Sequence, residues 1–267
     1  MHIFDQAIAL QAQDDGGFAG HTHADYANMV GPFGGVTAAQ VLQSVLLHPQ
    51  RLGEPLSFTV NFAAAVADGP FTIVARAART NRSTQHWVVE LQQDGQACTT
   101  ATVVTAARRE TWSLDEAPLP EVPTANEVPR LVRGAPLPWV NQYELRYVRG
   151  SFPTDWSGLD TGSSLSQLWM RDAEPRPLDF ASLTAFADVF FPRVYVRRAR
   201  RVPIGTVSMT VYFHASAAQL AGTGTGFVLG QAQGQAFRNG FFDHTAQLWN
   251  EAGTLLCTSH QIIYFKE

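Results

Sequence analysis

Cysteine, basic clusters and long apolar runs are all scarce in this chain of 267 residues. Its two cysteines, Cys98 and Cys257, lie in strand-like sequence, which argues against a disulfide framework or a cysteine metal site and predicts core thiols. The net charge of −4 provides no basic face for nucleic acid, so a small-molecule substrate is expected. No stretch reaches the roughly 18 apolar residues of a membrane helix, and residues 1–17 lack the features of a signal peptide. These absences predict a cytoplasmic protein that needs neither a membrane nor nucleic acid.

Proline is concentrated in one segment, and this segment divides the chain. Hydrophobic residues make up 45% of the sequence and charged residues 16%, which is enough apolar material for a sizeable core. Because 267 residues exceed the usual size of one domain, two modest domains are favoured. Six of the 15 prolines lie between Leu114 and Pro138, where neither a helix nor a central strand could persist. We predict an N-terminal domain over 1–113, a linker over 114–142 and a C-terminal domain over 143–267.

Each domain is predicted to combine one helix with several strands. In the first, an apolar helix over 35–47 starts after a glycine pair and ends before a proline. In the second, Asp179 or Ser182 caps a helix that stops at Pro192. β-Branched and aromatic residues separated by turn residues predict strands at 56–62, 71–79, 84–92, 97–107, 206–214, 226–237, 242–250 and 254–265.

The elements of the two domains match each other in the same order. The helices align at an offset of 147, which places Phe33 opposite Phe180. SFTVNF at 57–62 aligns with SMTVYF at 208–213 at an offset of 151, and the last strands align at 158. The offset grows only between elements, as insertions into loops would produce. The sequence therefore predicts one fold unit present twice.

Short motifs in this order resemble the double-hotdog acyl-CoA thioesterases of the TesB-like group, over nearly the whole chain. The motifs are Phe33-Gly34-Gly35, SFTVNF at 57–62, the turn at 79–84, Ala187-Asp188, Thr206 ahead of its strand, and the segment from Leu255 to Gln261. The resemblance implies an α+β double hotdog, made of two tandem repeats of a helix and an antiparallel sheet. It also implies an acyl-CoA substrate, a role in fatty acid metabolism, and no metal or other cofactor.

Three polar residues carry the activity that the resemblance implies. The family uses an Asp, a Thr and a Gln to hold and activate the water that attacks the thioester carbonyl, and these correspond to Asp188, Thr206 and Gln261. A carboxylate can accept a proton from water, while a hydroxyl and an amide can orient that water. Backbone N–H groups of Gly34 and Gly35, at the start of the first helix, would stabilise the oxyanion. The predicted reaction is hydrolysis of an acyl-CoA to a free acid and coenzyme A.

The duplication places Val41, Pro55 and Val103 of the first domain opposite this trio. None of these three can do acid–base chemistry. An aspartate in the middle of an apolar helix is costly to bury without a partner or a purpose. One active site per chain is therefore predicted.

Ordinary structural roles stay open for each member of the trio. Asp188 could be a capped or ion-paired helix residue, and Gln261 could be a buried amide with structural partners. Thr206 shares its strand parity with Ser208, so it could lie on an ordinary polar face. Ser208 and Met209 also stand where the family has an acidic residue and an aromatic or histidine residue.

Other motifs leave further functions open. His21 and His23, near Asp25, could be metal ligands or could serve a hotdog hydratase or dehydratase, and a non-catalytic acyl-binding module is a third class. Four arginines within 197–201 form the only basic run, which could clamp the phosphates of coenzyme A or lie in a solvated loop. The glycine series at 222–226 is predicted to be a turn between strands. Two hotdog units in one chain could act as a monomer, although the family commonly forms homo-oligomers.

Overall fold

The computed structural model describes residues 1–131 and 136–267. Residues 132–135, which belong to the predicted linker over 114–142, lie outside the described residues. Within these described ranges, no helix is long and apolar enough to cross a membrane. Both cysteines are free and buried, as the sequence predicts.

The first repeat folds as a sheet wrapped on one long helix. Its elements are α1 (Ile3–Ala7), β1 (Gln11–Ala12), β2 (Phe18–His21), α2 (Gly34–Leu46), β3 (Glu54–Phe62), β4 (Pro70–Thr80), β5 (Thr84–Gln93) and β6 (Gln96–Ala106). Ten of the 13 residues of α2 are buried, which explains why this helix is apolar on most of its sides. β4 and β5 alternate buried and exposed residues, so that one face of the sheet packs against the helix.

The second repeat follows the same plan with shorter helices. Its elements are β7 (Tyr143–Arg149), β8 (Ser166–Asp172), α3 (Phe180–Phe186), α4 (Arg193–Arg198), β9 (Ile204–Phe213), α5 (Ala217–Thr223), β10 (Val228–Gln233), β11 (Phe237–Arg238), β12 (Phe241–Asn250) and β13 (Leu255–Phe265). The predicted strand boundaries for β9, β12 and β13 hold within two residues. The glycine series at 222–226 does not form a plain turn, because Gly222 lies in α5 and Gly224 caps that helix.

The two repeats form one continuous antiparallel sheet. The strand order is β1-β2-β4-β5-β6-β3-β9-β13-β12-β10-β8-β7, and β11 pairs with β12. Outward from the centre, the first repeat runs β3, β6, β5, β4, β2, β1 and the second runs β9, β13, β12, β10, β8, β7. Apart from β11, each strand therefore has a counterpart at the equivalent place in the sheet and at the equivalent point in the sequence order, which confirms the predicted duplication.

The seam between β3 and β9 is the axis of this internal symmetry. Thr59 pairs with Thr210, its own equivalent at the offset of 151, and the two hydroxyl oxygens lie 2.9 Å apart. α2 and α3 also contact each other across the same axis. A Cβ on Gly35 would lie 2.8 Å from the carbonyl oxygen of Ala185, so glycine permits this close approach of the two helices.

The proline-rich segment between the repeats packs on the outer face of the second half of the sheet. The indole N–H of Trp169 donates to the carbonyl of Pro123 at 2.8 Å, and that of Trp249 donates to the carbonyl of Ala117 at 2.8 Å. Further along, Trp139 lies in a short 3₁₀ helix and stacks on Phe33 of the first repeat, with ring centroids 4.2 Å apart. This segment therefore contributes a wall to the space between the repeats.

Candidate active site

A cavity of about 490 Å³ lies where the two repeats and the connecting segment meet. Gly34 and Phe62 line it from the first repeat, Trp139 from the connecting segment, and Asp188 and Thr206 from the second repeat. Most of the remaining wall is apolar and aromatic, with a few polar groups, which is the usual make-up of a small-molecule site. The cavity is thus built by both halves, although the predicted reactive side chains come from one half only.

Asp188 lies in the turn that follows α3, and the prediction that it lies in mid-helix is wrong. α3 ends at Phe186 instead of continuing to Pro192. The N–H of Asp188 donates to the carbonyl of Ala185 at 3.1 Å, and that of Val189 donates to Phe186 at 3.3 Å. These are i to i−3 bonds, so the helix tightens into a turn and stops. The turn leaves the Asp188 side chain partly exposed to the cavity.

Gln261 lies on β13 directly behind Asp188. Its side-chain N–H donates to Oδ1 of Asp188 at 3.0 Å and to the carbonyl of Ala187 at 3.3 Å. Gln261 is buried, and it does not itself line the cavity. The amide therefore holds the Asp188 carboxyl in place from the side opposite the cavity.

Burial raises the pKa of the Asp188 carboxyl to about 7. The hydrogen bond from Gln261 and the nearby backbone N–H of Gly35 lower this pKa, and their effect is smaller than that of burial. A carboxyl with a pKa near 7 takes up and releases protons readily at neutral pH, which suits a general base. No ion pair involves Asp188 within the described parts of the chain, so the alternative of an ion-paired structural residue finds no partner there.

Thr206 lines the same cavity because a β-bulge changes the alternation of β9. Ile262 of β13 pairs with Ser208, but the next residue, Ile263, pairs with Thr206, so Val207 is left unpaired. The extra residue turns Thr206 away from the outer face that Ser208 occupies. Thr206 therefore lies on the cavity side, and the ordinary polar face that strand parity left open for it is not where it lies.

The first repeat contains the same bulge, with a proline at the position equivalent to Thr206. Pro55 of β3 pairs with Thr105 and Ser57 pairs with Val104, which leaves Leu56 unpaired at the place equivalent to Val207. The bulge is therefore part of the duplicated scaffold. Pro55 is buried there, as are Val41 and Val103, the other two equivalents of the trio.

The start of α2 offers backbone donors to the cavity. No side chain caps this helix, and within the described residues no hydrogen bond occupies the N–H of Gly34, while the N–H of Gly35 faces the Asp188 carboxylate. A Cβ on Gly34 would lie 2.8 Å from Oδ2 of Asp188, so the helix start and the carboxylate are in close contact. In contrast, the side chain of Asp179 caps the start of α3 through the N–H of Ser182. Of the two helices α2 and α3, α2 is thus the one whose start has no capping side chain.

The histidines that could serve a hydratase or a metal site lie apart from Asp188, Thr206 and Gln261. His21 and His23 do not line the cavity, and Nδ1 of His23 accepts the backbone N–H of Asp25 at 3.3 Å. Among the described residues, no group of three or more His, Cys, Asp or Glu side chains is placed to hold a metal ion. The structure thus brings Asp188, Thr206, Gln261 and the α2 glycines together and leaves the histidines outside.

The aromatic wall of the cavity was not predicted from the sequence. Phe152, Phe191, Tyr195 and Tyr264 line it together with Trp139. The chain has 17 phenylalanines, and an aromatic residue carries no sign in the sequence of which side of its element it faces. In the sequence, the one sign of this wall is the high density of aromatic residues that begins at the end of the linker.

Comparison with known proteins places both halves in one family. Residues 23–106 match the acyl-CoA thioesterase N-terminal domain, and residues 114–265 match the acyl-CoA thioesterase C-terminal domain. A comparison with curated proteins gives no match.

Solved structures with this fold cover nearly the whole chain. A hot dog fold protein of unknown function from Alicyclobacillus acidocaldarius is 48% identical, with a TM-score of 0.94 over 100% of this chain and 99% of that one. A putative thioesterase II from Thermobifida fusca is 18% identical, with a TM-score of 0.85 over 100% and 98% of the two chains. An acyl-CoA thioesterase II, TesB2, from Mycobacterium marinum is 16% identical, with a TM-score of 0.78 over 98% of each. The chain has the double hotdog fold and belongs to the acyl-CoA thioesterase family.

Proposed function

We propose that this protein hydrolyses acyl-CoA thioesters to a free carboxylic acid and coenzyme A, with Asp188 as the base that activates water. The observation that carries the proposal is the Asp188 carboxyl itself, which is bonded to Gln261 at 3.0 Å and faces a cavity that Thr206 and Gly34 also line. Its pKa of about 7 supports the role, because the group is both ionised in part and basic enough to accept a proton at neutral pH.

In the proposed mechanism, a water molecule lies between Asp188 and the thioester carbonyl carbon. The water oxygen bonds to that carbon while one water proton passes to the Asp188 carboxylate. The tetrahedral intermediate then collapses, the carbon–sulfur bond breaks, and the thiolate of coenzyme A takes up the proton. Thr206 would orient the water through its hydroxyl, and Gln261 would fix the carboxylate that receives the proton.

The negative oxygen of the intermediate would lie at the start of α2. The free N–H of Gly34, the N–H of Gly35, which also faces the Asp188 carboxylate, and the positive end of the helix dipole favour negative charge there. A helix of 13 residues contributes a full end dipole, and the lack of a capping side chain leaves its donors open. The first repeat would thus supply the oxyanion site and the second repeat the base, giving one active site per chain.

The domain boundaries, the metabolic role and the cellular location are proposed on the same basis. Residues 1–113, 114–142 and 143–267 would be the two repeats and the linker. The resemblance supports a role in fatty acid metabolism in the cytoplasm without metal or cofactor. A hydratase is less well supported, because its histidine candidates lie outside the cavity lining.

Release of free thiol from a panel of acyl-CoAs tests the proposed reaction, with enoyl-CoAs included. Hydrolysis produces free coenzyme A from saturated and unsaturated substrates alike. Hydration of an enoyl-CoA without thiol release would identify a hydratase. Retention of acyl-CoA with no turnover across the panel would identify a binding module and contradict the proposal.

The rate of hydrolysis should depend on pH with the ionisation of Asp188. Because the base must be deprotonated, kcat/KM should rise with pH through an apparent pKa of about 7 and level off above it. Thiol release between about pH 5 and pH 9, corrected for the enzyme-free reaction, measures the profile. A flat profile over this range would assign the base to another group.

Gln261→Leu should weaken catalysis and move this profile. The substitution removes the hydrogen bond that lowers the pKa of Asp188, so the apparent pKa should rise and kcat should fall by about tenfold. Gln247→Leu on β12 is the matched control, because that amide bonds to Gln231 and lies outside the cavity lining. An unchanged pH profile in Gln261→Leu would mean that the amide serves the fold alone.

A further inference from the structure

Two cations beside the cavity have no carboxylate partner among the described residues. They are Arg201, which follows α4, and Lys266, which follows β13. Both side chains are exposed, and neither forms an ion pair with any residue in 1–131 or 136–267. Their neighbours in the basic run behave differently: Arg197 pairs with Asp160 at 2.6 Å and Arg198 pairs with Glu267.

Arg201 is held next to the cavity by an aromatic chain. Its guanidinium lies 4.6 Å from the centre of the Trp156 ring. The Trp156 ring in turn contacts Phe152 and Tyr195, with centroids 4.8 Å and 5.5 Å apart, and both of these line the cavity. The charge of Arg201 also reaches the Tyr195 hydroxyl, since it opposes the rise in pKa that burial causes there. The stacked position keeps the guanidinium N–H groups free to bind an anion.

Lys266 approaches the same edge of the cavity from the other side. Its ammonium lies 5.9 Å from the centre of the Tyr264 ring, and Tyr264 lines the cavity next to Gly205 and Thr206. The backbone N–H of Lys266 donates to the carbonyl of Pro203 at 3.0 Å. This bond fixes Lys266 beside the segment that joins Arg201 to β9.

We propose that Arg201 and Lys266 form a subsite for the phosphate groups of coenzyme A at the Tyr195 and Tyr264 edge of the cavity. This inference rests on the proposed function, because it assumes that the thioester end of the same molecule lies at Asp188. Coenzyme A carries a diphosphate and a 3′-phosphate, whereas the chain has a net charge of −4. A polyanion therefore needs local cations to overcome the general repulsion, and cations without carboxylate partners lose no ion pair on binding it.

The affinity for coenzyme A itself gives the first test. Calorimetric titration with coenzyme A should show the Kd raised about fivefold by Arg201→Gln, about fivefold by Lys266→Met and more by the double variant. Glutamine still stacks on Trp156 and methionine still packs on Tyr264, so the ring contacts survive while the charge is lost. Arg76→Gln, an exposed arginine of β4 outside the cavity lining, is the control and should leave Kd unchanged. Kd values equal to that of the wild type in both single variants and in the double variant would overturn the subsite.

Kinetics with a shortened substrate separate the subsite from a general defect. With acyl-CoA, both variants should raise KM about fivefold and leave kcat unchanged, because the phosphates are far from the bond that breaks. With the corresponding acyl-pantetheine, which lacks phosphate, the variants should match the wild type. A loss of the same size on both substrates would show that the side chains support the fold instead.

Lys266 also allows a test that does not depend on catalysis, since it is the only lysine in the chain. Amine acylation followed by mass spectrometry reports on this side chain apart from the terminal amine, and coenzyme A should slow its modification whereas pantetheine should not. If the wild type hydrolyses no thioester but coenzyme A still protects Lys266, the proposed function fails and the subsite stands. If hydrolysis occurs and neither protection nor a KM effect is seen, the subsite alone fails.

Discussion

Asp188→Asn should lower kcat for acyl-CoA hydrolysis by about a thousandfold, because the amide cannot accept a proton from water. Asparagine has the shape of the aspartate and can still accept the hydrogen bond that Gln261 donates at 3.0 Å, so the site should remain assembled. Steady-state thiol release on purified proteins measures the effect. Asp14→Asn is the matched control, since this exposed carboxylate lies outside the cavity lining. Wild-type activity in Asp188→Asn would remove Asp188 from the mechanism.

The same substitution should stabilise the protein at alkaline pH. Folding raises the pKa of this carboxyl from 3.8 to about 7, so the folded chain holds the proton more tightly than the unfolded chain does. The wild type therefore loses stability as the pH rises between these values, and the loss is complete above the folded pKa. Partial exposure to the cavity reduces the effect, so Asp188→Asn should gain on the order of 2 kcal/mol in the free energy of unfolding at pH 8.

Urea unfolding at pH 8 and pH 4 measures this difference, and it should nearly vanish at the lower pH. A variant that is less stable than the wild type at both pH values would show that the carboxylate holds the fold together. A loss of activity with a gain in stability would instead mark a side chain kept for its chemistry.

Gly34→Ala should lower kcat by about a hundredfold without unfolding the protein. The added methyl would lie 2.8 Å from Oδ2 of Asp188, so either the carboxylate or the start of α2 must move. Either movement changes the distance between the Asp188 carboxylate and the backbone N–H groups at the start of α2. The fold should tolerate the substitution, because alanine favours a helix more than glycine does. Assays of thiol release should therefore show the loss of kcat, while thermal unfolding should show a melting temperature close to that of the wild type.

Gly222→Ala provides the control for this substitution. Gly222 also lies in a helix, and a methyl there would meet nothing within 4 Å. It should keep full activity and gain a little stability. If Gly34→Ala keeps wild-type kcat, the helix start does not take part in the reaction.

The duplication was readable from the sequence because it depends on ordered matches. Thr59 and Thr210 occupy equivalent places in two similar segments, and they pair with each other at the seam. The candidate catalytic residues could be named only through the family resemblance, since nothing in their spacing brings residues 188, 206 and 261 together. The alternation of inward and outward residues along β9 does not predict which side Thr206 faces. The β-bulge at Val207 adds one residue, and strict alternation takes no account of it.

Two other elements went unpredicted for different physical reasons. β8 lacks a clear alternation because its two faces are both covered: Leu168 and Met170 pack in the main core, while Trp169 packs with the proline-rich segment. β1 and β2 are two and four residues long, which is too short for any period to show. The premature end of α3 at Phe186 was hidden because the apolar pattern continues through the turn to Phe190.

The seam between β3 and β9 also sets an order of events during synthesis. β3 precedes β9 in the chain. Until β9 emerges from the ribosome, the backbone N–H and C=O groups on the seam side of β3 have no strand to pair with. Gln261 lies on β13, which is made after both β3 and β9. A nascent chain would therefore carry the helix start of the site long before it carries the support for its base, and catalysis would begin only when the second repeat closes on the first.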